Sequence, residues 1–164
     1  DMYALDLLSS ILSEGTSSRL YNRVVRELKI ADSVSAMNYA LKDHGLFIFL
    51  ASLKADRKPS DRADVRKAVE GEIWRLQNSS VTTKEIEKSR NQVTKSFIDG
   101  LKTINGRAKL LATNEILFND YNKVYEDLDN YAKVSAEDLK RVAKKYLKLE
   151  NSSFVVVTKA SQRK

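Results

Sequence analysis

Apolar side chains recur every three or four residues near the start of the chain, and this spacing predicts two short helices. The apolar positions of the first helix are Ala4 or Leu5, Leu8, Ile11 and Leu12, and those of the second are Leu20, Val24, Val25 and Leu28. Between the two, Gly15 suits the left-handed position just past a helix end, and Ser17 or Ser18 is a candidate N-cap. The pattern therefore predicts a tight helical pair.

Two segments with the character of β-strands follow, over residues 33–41 and 46–51. The sequence Asp43-His44-Gly45 between them is a turn signal, so the segments are predicted to form an antiparallel hairpin. The second segment is apolar throughout, which predicts a strand in the middle of a sheet, covered on both faces. The first is polar enough to lie at an edge, where an extended peptide could add through backbone hydrogen bonds, although an internal position is favoured.

The chain after residue 59 is predicted to be mostly helical. A helix that begins at Ser60 has a buried stripe formed by Val65, Val69, Ile73 and Leu76. Thr82 and Glu85 then form a capping-box pattern at the start of a further helix. The apolar register of that helix continues to residue 111 across Gly100 and Gly106, so one long helix is expected.

The remaining elements complete the predicted fold. Helices are expected over 121–131 and 135–147, and a last short strand over 154–157. Neither an internal repeat nor a linker interrupts this order. The sequence therefore predicts a single α+β domain, in which an antiparallel sheet packs with helices.

Composition narrows the classes of function. The length of 164 residues, 42% of them apolar, fits one globular domain. The absence of cysteine excludes disulfide scaffolds, thiol catalysis and cysteine-based zinc sites, and fits the cytoplasm and a cell envelope equally. His44 is the only histidine, whereas a helical zinc site needs two histidines one turn apart. As a turn residue, it is expected to be solvated.

The net charge of +7 arises from 29 basic and 22 acidic residues, which alternate along most of the chain. One face of the helix near the C-terminus is strongly basic, with Lys140, Arg141, Lys144, Lys145 and Lys148. We interpret it as a solvated helix surface; the alternative is a nucleic-acid-binding module, whose affinity would fall steeply with salt. Nucleic acid is therefore not an expected partner. A membrane is not expected either, because no apolar run approaches the length of a membrane span.

Residue chemistry alone proposes no reaction. No serine lies beside a plausible histidine base, and the five glycines form no phosphate-binding loop. The carboxylates occur as helix caps and charge-paired surface positions. An enzyme that is complete within this chain is therefore not expected.

Three segments, taken in order, resemble a known family. The first is Ser-Glu-Gly-Thr-Ser-Ser-Arg-Leu-Tyr at 13–21, followed by Val-Arg-Glu at 25–27; the second lies at 81–88 and the third at 134–147. Together with the predicted strand at 154–158, they resemble the non-catalytic domain of the M16 zinc metallopeptidases. That family includes pitrilysin, insulin-degrading enzyme and the mitochondrial processing peptidases.

The resemblance implies that residues 1–164 are one half of a clam-shell. In the family, one domain holds zinc through an inverted HxxEH motif, and a second domain of similar fold closes the chamber around an unfolded peptide. This chain has no HxxEH motif, so the resemblance implies the second role, with zinc in a partner domain of the same chain or of another subunit. The chain alone is then not an enzyme, and its parent is a zinc metalloendopeptidase.

The resemblance also implies that the chain is a fragment. Domains of the family begin with strands that would precede Asp1, so their absence is expected to leave a sheet edge unpaired. Because open edges invite pairing, the fragment is expected to form a homodimer. The alternative within the same fold is a structural or assembly domain without peptidase activity.

One residue is a candidate for substrate contact. In several family members, an arginine and a tyrosine seven residues apart reach the zinc site from the non-zinc half, where they hold substrate and stabilise the oxyanion. Arg26 matches that arginine, but the segment is one residue shorter here, and Asp32 stands at the position of the tyrosine. An ionised acid cannot donate a hydrogen bond to an oxyanion, so the role of the tyrosine is expected to be missing. The alternative is that Arg26 is an ordinary cation at a helix end.

Overall fold

The computed structural model describes residues 1–54 and 60–157. Helix α1 (Met2–Ser13) opens the chain, and a turn leads to a second helical segment, as predicted. Gly15 adopts a φ of +77°, which confirms its left-handed position. The predicted N-cap at Ser17 or Ser18 is wrong, because Leu20 holds the N-cap position of the second segment and makes no side-chain cap hydrogen bond. The Ser18 hydroxyl instead donates to the Gly15 carbonyl oxygen at 2.8 Å.

The second helical segment is a π-helix over Tyr21–Glu27. Its end is marked by the Leu28 N–H, which donates to the Arg23 carbonyl oxygen five residues earlier at 3.0 Å. Lys29 follows with a φ of +55° and turns the chain into the sheet. The predicted helix is therefore present, but with a wider turn than the α-helical spacing implied.

Strands β1 (Ala31–Ala40) and β2 (Gly45–Leu53) form the predicted antiparallel hairpin, with Ala36 opposite Phe49. The expectation that β2 lies inside a sheet is wrong for the described residues, where β1 and β2 form a two-stranded sheet. One face of β2 packs Phe47 and Phe49 against the core. The other face exposes Leu46 and Leu50 because no further element covers it within residues 1–54 and 60–157.

The second part of the chain consists of helices. The α-helices are α2 (Ser60–Asn78), α3 (Thr83–Leu101), α4 (Ile104–Phe118), α5 (Asp127–Lys133) and α6 (Ala136–Tyr146). Short 3₁₀ helices occupy Tyr121–Tyr125 and Leu149–Asn151. The capping box predicted at the start of α3 is formed, and a second one, of Ser135 and Asp138, opens α6.

Two sequence predictions in this part are wrong in detail. The helix expected over 121–131 consists of a 3₁₀ helix followed by α5. The strand expected over 154–157 is not formed, because no strand in the described part of the chain pairs with these residues. Phe154 instead lies beneath the guanidinium of Arg66, with 5.5 Å between Cζ and the ring centroid. Residues beyond 157 lie outside the described ranges.

The prediction of one long helix up to residue 111 is also wrong, because the helix is interrupted between α3 and α4. Thr103 caps α4 by accepting a hydrogen bond from the Gly106 N–H at 3.0 Å. The apolar spacing continues across this break, which is why periodicity alone did not reveal it. The turn brings Gly106 against the Gly100 carbonyl oxygen so closely that a Cβ at Gly106 would overlap it.

We expect Gly106→Ala to lower the free energy of unfolding by about 1–3 kcal/mol, because the backbone must move to admit the methyl group. The matched control is Gly71→Ala in α2, where an added Cβ meets nothing within 4 Å. That change is expected to raise stability by about 0.5–1 kcal/mol through helix propensity. Urea unfolding of both variants checks the pair, and equal effects would contradict the close approach at Gly106.

Helix α1 lies at the centre of the core. Leu7, Leu8 and Leu12 are fully buried. They belong to one hydrophobic cluster with the π-helix, the core-facing side of the sheet and the apolar faces of α2, α3 and α6. The predicted stripe of α2 faces the same cluster, with Val65, Ile73 and Leu76 buried and Val69 partly buried. This core fixes the π-helix against the body of the domain.

Candidate functional site

Arg26 projects from the exposed side of the π-helix. Its Nη1 donates to Asn22 Oδ1 at 3.3 Å, and its Cζ lies 5.7 Å from the centroid of the Tyr21 ring. Both neighbours are neutral. Arg26 is exposed, and neither neighbour neutralises its guanidinium, as contact with a substrate requires.

Asp32 is exposed in β1, next to an irregularity of the strand register between Ala31 and Ser33. No ion pair joins it to Arg26 in the described ranges. The structure thus places the two aligned positions on different elements, Arg26 on the π-helix and Asp32 on the first strand. Asp32 has the chemistry of an acceptor and not of a donor, as the sequence indicated.

Sequence reasoning did not identify the strongest polar contact near this helix. Arg19 donates to both carboxylate oxygens of Glu85, from Nε at 2.7 Å and from Nη2 at 3.0 Å. This pair joins the first segment of the family resemblance to the second. The signal that could have found it is an arginine in the first motif and a helix-capping glutamate in the second.

Glu85 both caps the start of α3 together with Thr82 and pairs with Arg19. Burial opposes its ionisation, but hydrogen bonds from Arg19 and Thr82 outweigh burial and lower the pKa of Glu85 to about 2. Burial acts against the charge of Arg19 as well, but the Glu85 carboxylate raises the pKa of Arg19 above its ordinary value. A second acid, Glu72, is almost fully buried and lies 4.0 Å from Arg19.

A cleft of about 600 Å³ lies between the π-helix and α2. Asn22 is part of its wall, and the Trp74 side chain, 62% exposed, lies at its side. The arginines in the wall pair with carboxylates, as Arg19–Glu85, Arg23–Glu27 and Arg75–Glu72. The cleft is thus polar and charge-balanced, and Arg26 is connected to its wall through the hydrogen bond to Asn22.

The edges of the hairpin differ in availability. The Ser13 hydroxyl accepts from the Ala36 N–H at 2.7 Å and lies 3.3 Å from the Ala36 carbonyl oxygen, so α1 occupies this part of the outer edge of β1. Because Ala36 directs its backbone away from β2, the opposite residue Phe49 directs its own backbone outwards too. The outer edge of β2 is therefore the better candidate for strand addition.

His44 is exposed beside the hairpin turn, as the sequence predicted. Within residues 1–54 and 60–157, no group of three His, Cys, Asp or Glu side chains is placed to hold a metal ion. The residues described do not supply a zinc site. None of the helices in these ranges combines the length and apolar character needed to cross a membrane.

The basic face of α6 is partly neutralised by its surroundings. Arg141 and Lys145 both pair with the Asp1 carboxylate, at 2.6 and 2.8 Å. Lys140 donates to the Asn78 carbonyl oxygen at 3.2 Å. These contacts favour the interpretation as a solvated helix face over a patch for phosphates.

Comparison with known proteins places the chain in a family. The sequence profile of the peptidase M16 inactive domain matches residues 1–93. The chain is 28% identical to the zinc protease PqqE of Helicobacter pylori over 156 residues, which are 94% of this chain and 34% of that protein. The chain belongs to the family of peptidase M16 inactive domains.

Solved structures agree with this assignment. A protease from Helicobacter pylori matches with a TM-score of 0.79 at 27% identity, over 90% of this chain and 35% of that one. An inactive peptidase domain from Bordetella parapertussis matches with a TM-score of 0.79 at 21% identity, over 98% of this chain and 85% of that one. The second match, at its low identity, shows the fold alone. The chain spans about a third of the length of its curated relative.

Proposed function

We propose that residues 1–164 form one non-catalytic domain of a larger zinc peptidase, which encloses an unfolded peptide while a partner domain hydrolyses it. The match to the M16 inactive domain carries this proposal. The cleft beside the π-helix and the open edge of β2 support it, because both can accept an extended chain. Zinc belongs to the partner domain, in the same chain or in another subunit.

Arg26 is the substrate-contacting residue in this proposal. Its exposure and its neutral neighbours support the role, since no carboxylate in the described part of the chain competes for its guanidinium. Asp32 does not supply the donor that a tyrosine would supply in relatives. The contribution of this domain is therefore peptide binding and orientation, without a second donor to the oxyanion.

The proposed function is tested by measuring peptide cleavage with and without the zinc-bearing domain. We expect the purified chain to cleave no peptide with or without added zinc, because the described residues hold no group of metal ligands. The assembly with the zinc-bearing domain is expected to cleave an unfolded fluorogenic peptide, and removal of zinc by a chelator is expected to abolish that cleavage. Stoichiometric, inhibitor-sensitive cleavage by the chain alone would contradict the proposal.

A structural or assembly role is the second candidate. The outer face of the hairpin favours it, because Tyr39, Leu46 and Leu50 are each more than half exposed there. This face and the open edge of β2 also support association of two copies. An assembly that contains the zinc-bearing domain and zinc but cleaves no peptide would favour this second role.

A further inference from the structure

Arg26 differs from the arginines of the cleft wall in its ion pairing. Three arginines in the cleft wall have carboxylate partners within 2.7 Å: Arg19, Arg23 and Arg75. Arg26 lies beside the cleft, linked to its wall through Asn22, and contacts no carboxylate within residues 1–54 and 60–157. It is therefore a cation next to a cleft whose own charges are already neutralised.

The π-helix explains how Arg26 is held. Tyr21 and Arg26 are five residues apart, and in an α-helix such residues lie about 140° apart around the axis. The i→i+5 hydrogen bonding of the π-helix brings them onto one side, so that the guanidinium lies over the Tyr21 ring. Asn22, one residue further on, accepts from Nη1. The unusual helix thus orients the arginine without cancelling its charge.

The remaining donors of Arg26 define the chemistry of a ligand. A guanidinium has five N–H donors in a planar fork, and the Asn22 amide oxygen occupies one of them. A carboxylate matches the geometry of such a fork with two parallel hydrogen bonds. An amide or a hydroxyl does not supply the second charge-assisted bond.

We propose that Arg26 binds a carboxylate of the peptide substrate, and that Tyr21 and Asn22 are positioning residues that hold the guanidinium for it. This inference rests on the proposed function as the peptide-enclosing half. The carboxylate belongs either to an acidic side chain or to the C-terminus of the peptide. Both sources present the same two oxygens to Arg26.

Three peptides of otherwise identical sequence distinguish the sources in the zinc-loaded assembly. One carries Glu and an amidated C-terminus, one carries Gln and an amidated C-terminus, and one carries Gln and a free C-terminal carboxylate. We expect kcat/KM for one of the two carboxylate peptides to exceed that for the neutral peptide by about tenfold, chiefly through a lower KM. Which peptide gains identifies the source.

Variants assign this preference to single side chains. Arg26→Gln is expected to reduce the ratio of carboxylate to neutral peptide to about one, because it removes the charge-assisted hydrogen bonds. The matched control, Arg66→Gln on α2, removes an arginine that is paired with Glu70 and does not line the cleft, and it is expected to retain the ratio. Tyr21→Leu is expected to raise KM for the preferred peptide without lowering kcat, whereas Tyr21→Phe retains the ring and the preference.

A binding measurement keeps the inference separate from catalysis. The same three peptides, fluorescently labelled, are titrated with the zinc-free assembly and followed by anisotropy. A carboxylate preference that is lost in Arg26→Gln supports the inference even if the assembly cleaves nothing, in which case only the peptidase proposal fails. Equal binding of the three peptides, or a preference that survives in Arg26→Gln, overturns the inference while cleavage of the neutral peptide leaves the proposed function standing.

Discussion

Replacement of Arg19 by methionine is expected to lower the free energy of unfolding by about 2–3 kcal/mol at pH 7. Methionine keeps the aliphatic part of the side chain but removes the guanidinium that donates to both oxygens of Glu85. It also removes a positive charge 4.0 Å from the buried Glu72. Glu85 then loses its charged partner, whereas Glu72 keeps Arg75 at 2.6 Å. Partial exposure of Arg19 and Glu85 keeps the loss below that of a fully buried pair.

The loss at Arg19 is expected to depend on pH in a defined direction. The pKa of Glu85 lies at about 2 in the folded chain, against an ordinary value of 4.5. A lowered pKa contributes stability that is fully present above about pH 4.5 and is lost as the pH falls towards 2. The difference between wild type and Arg19→Met should therefore be largest near neutral pH and shrink below about pH 4.5.

Urea unfolding at several pH values measures both effects. The matched control is Arg66→Met on α2, which removes an exposed ion pair with Glu70 and is expected to change stability by less than about 0.5 kcal/mol. Glu85→Gln offers a second variant, in which the hydrogen-bonding shape is retained but the charge is lost. If Arg19→Met were no more harmful than Arg66→Met, the Arg19–Glu85 contact would not be a link between the two motifs.

The elements predicted best from the sequence are those fixed by local signals. The capping boxes at Thr82 and Ser135 mark helix starts, and Gly15 marks a helix end, because each depends on hydrogen bonds or backbone angles within a few residues. The hairpin is likewise local, since its turn signal lies between two neighbouring segments of strand character. The family resemblance, carried by ordered motifs, is confirmed by the match to the M16 inactive domain.

The elements missed are those that the spacing of apolar residues does not specify. β2 is apolar on both faces, but whether both faces are buried depends on the elements packed against them and not on the pattern of β2 itself. The break between α3 and α4 leaves the apolar spacing intact, so only the approach of Gly106 to Gly100 shows it. The π-helix was missed because its residues have ordinary helical spacing, and hence the placement of Arg26 over Tyr21 could not be foreseen.

Replacement of Tyr131 by phenylalanine is expected to lower the free energy of unfolding by about 2 kcal/mol at pH 7. The Tyr131 hydroxyl donates to Asp6 Oδ2 at 2.7 Å, and Asn38 donates to Oδ1 at 2.9 Å. Together they join α5, α1 and β1 around a largely buried carboxylate. The phenylalanine ring fills the same space, so the change removes the donor and leaves the packing.

The loss caused by Tyr131→Phe is expected to grow with pH, as the loss caused by Arg19→Met does, but here the carboxyl involved has a raised pKa and not a lowered one. Burial raises the pKa of Asp6 above its ordinary value, although Asn38 and Tyr131 oppose the rise. Folding therefore favours protonated Asp6, and stability falls as the pH rises from the ordinary value of 3.8 through the raised one. Without the Tyr131 donor the pKa rises further, so the fall in stability should become steeper and extend to higher pH.

The loss depends on pH because the Tyr131 hydroxyl chiefly stabilises the ionised form of Asp6. At a pH where Asp6 is protonated, Tyr131→Phe removes only a neutral hydrogen bond, whereas at neutral pH it removes a donor to a buried anion. Urea unfolding between pH 4 and 8 should show the loss growing with pH, and Tyr39→Phe on the exposed face of β1 should show none. A loss that is the same at every pH would mean that Asp6 keeps one protonation state over this range, which would contradict its raised pKa.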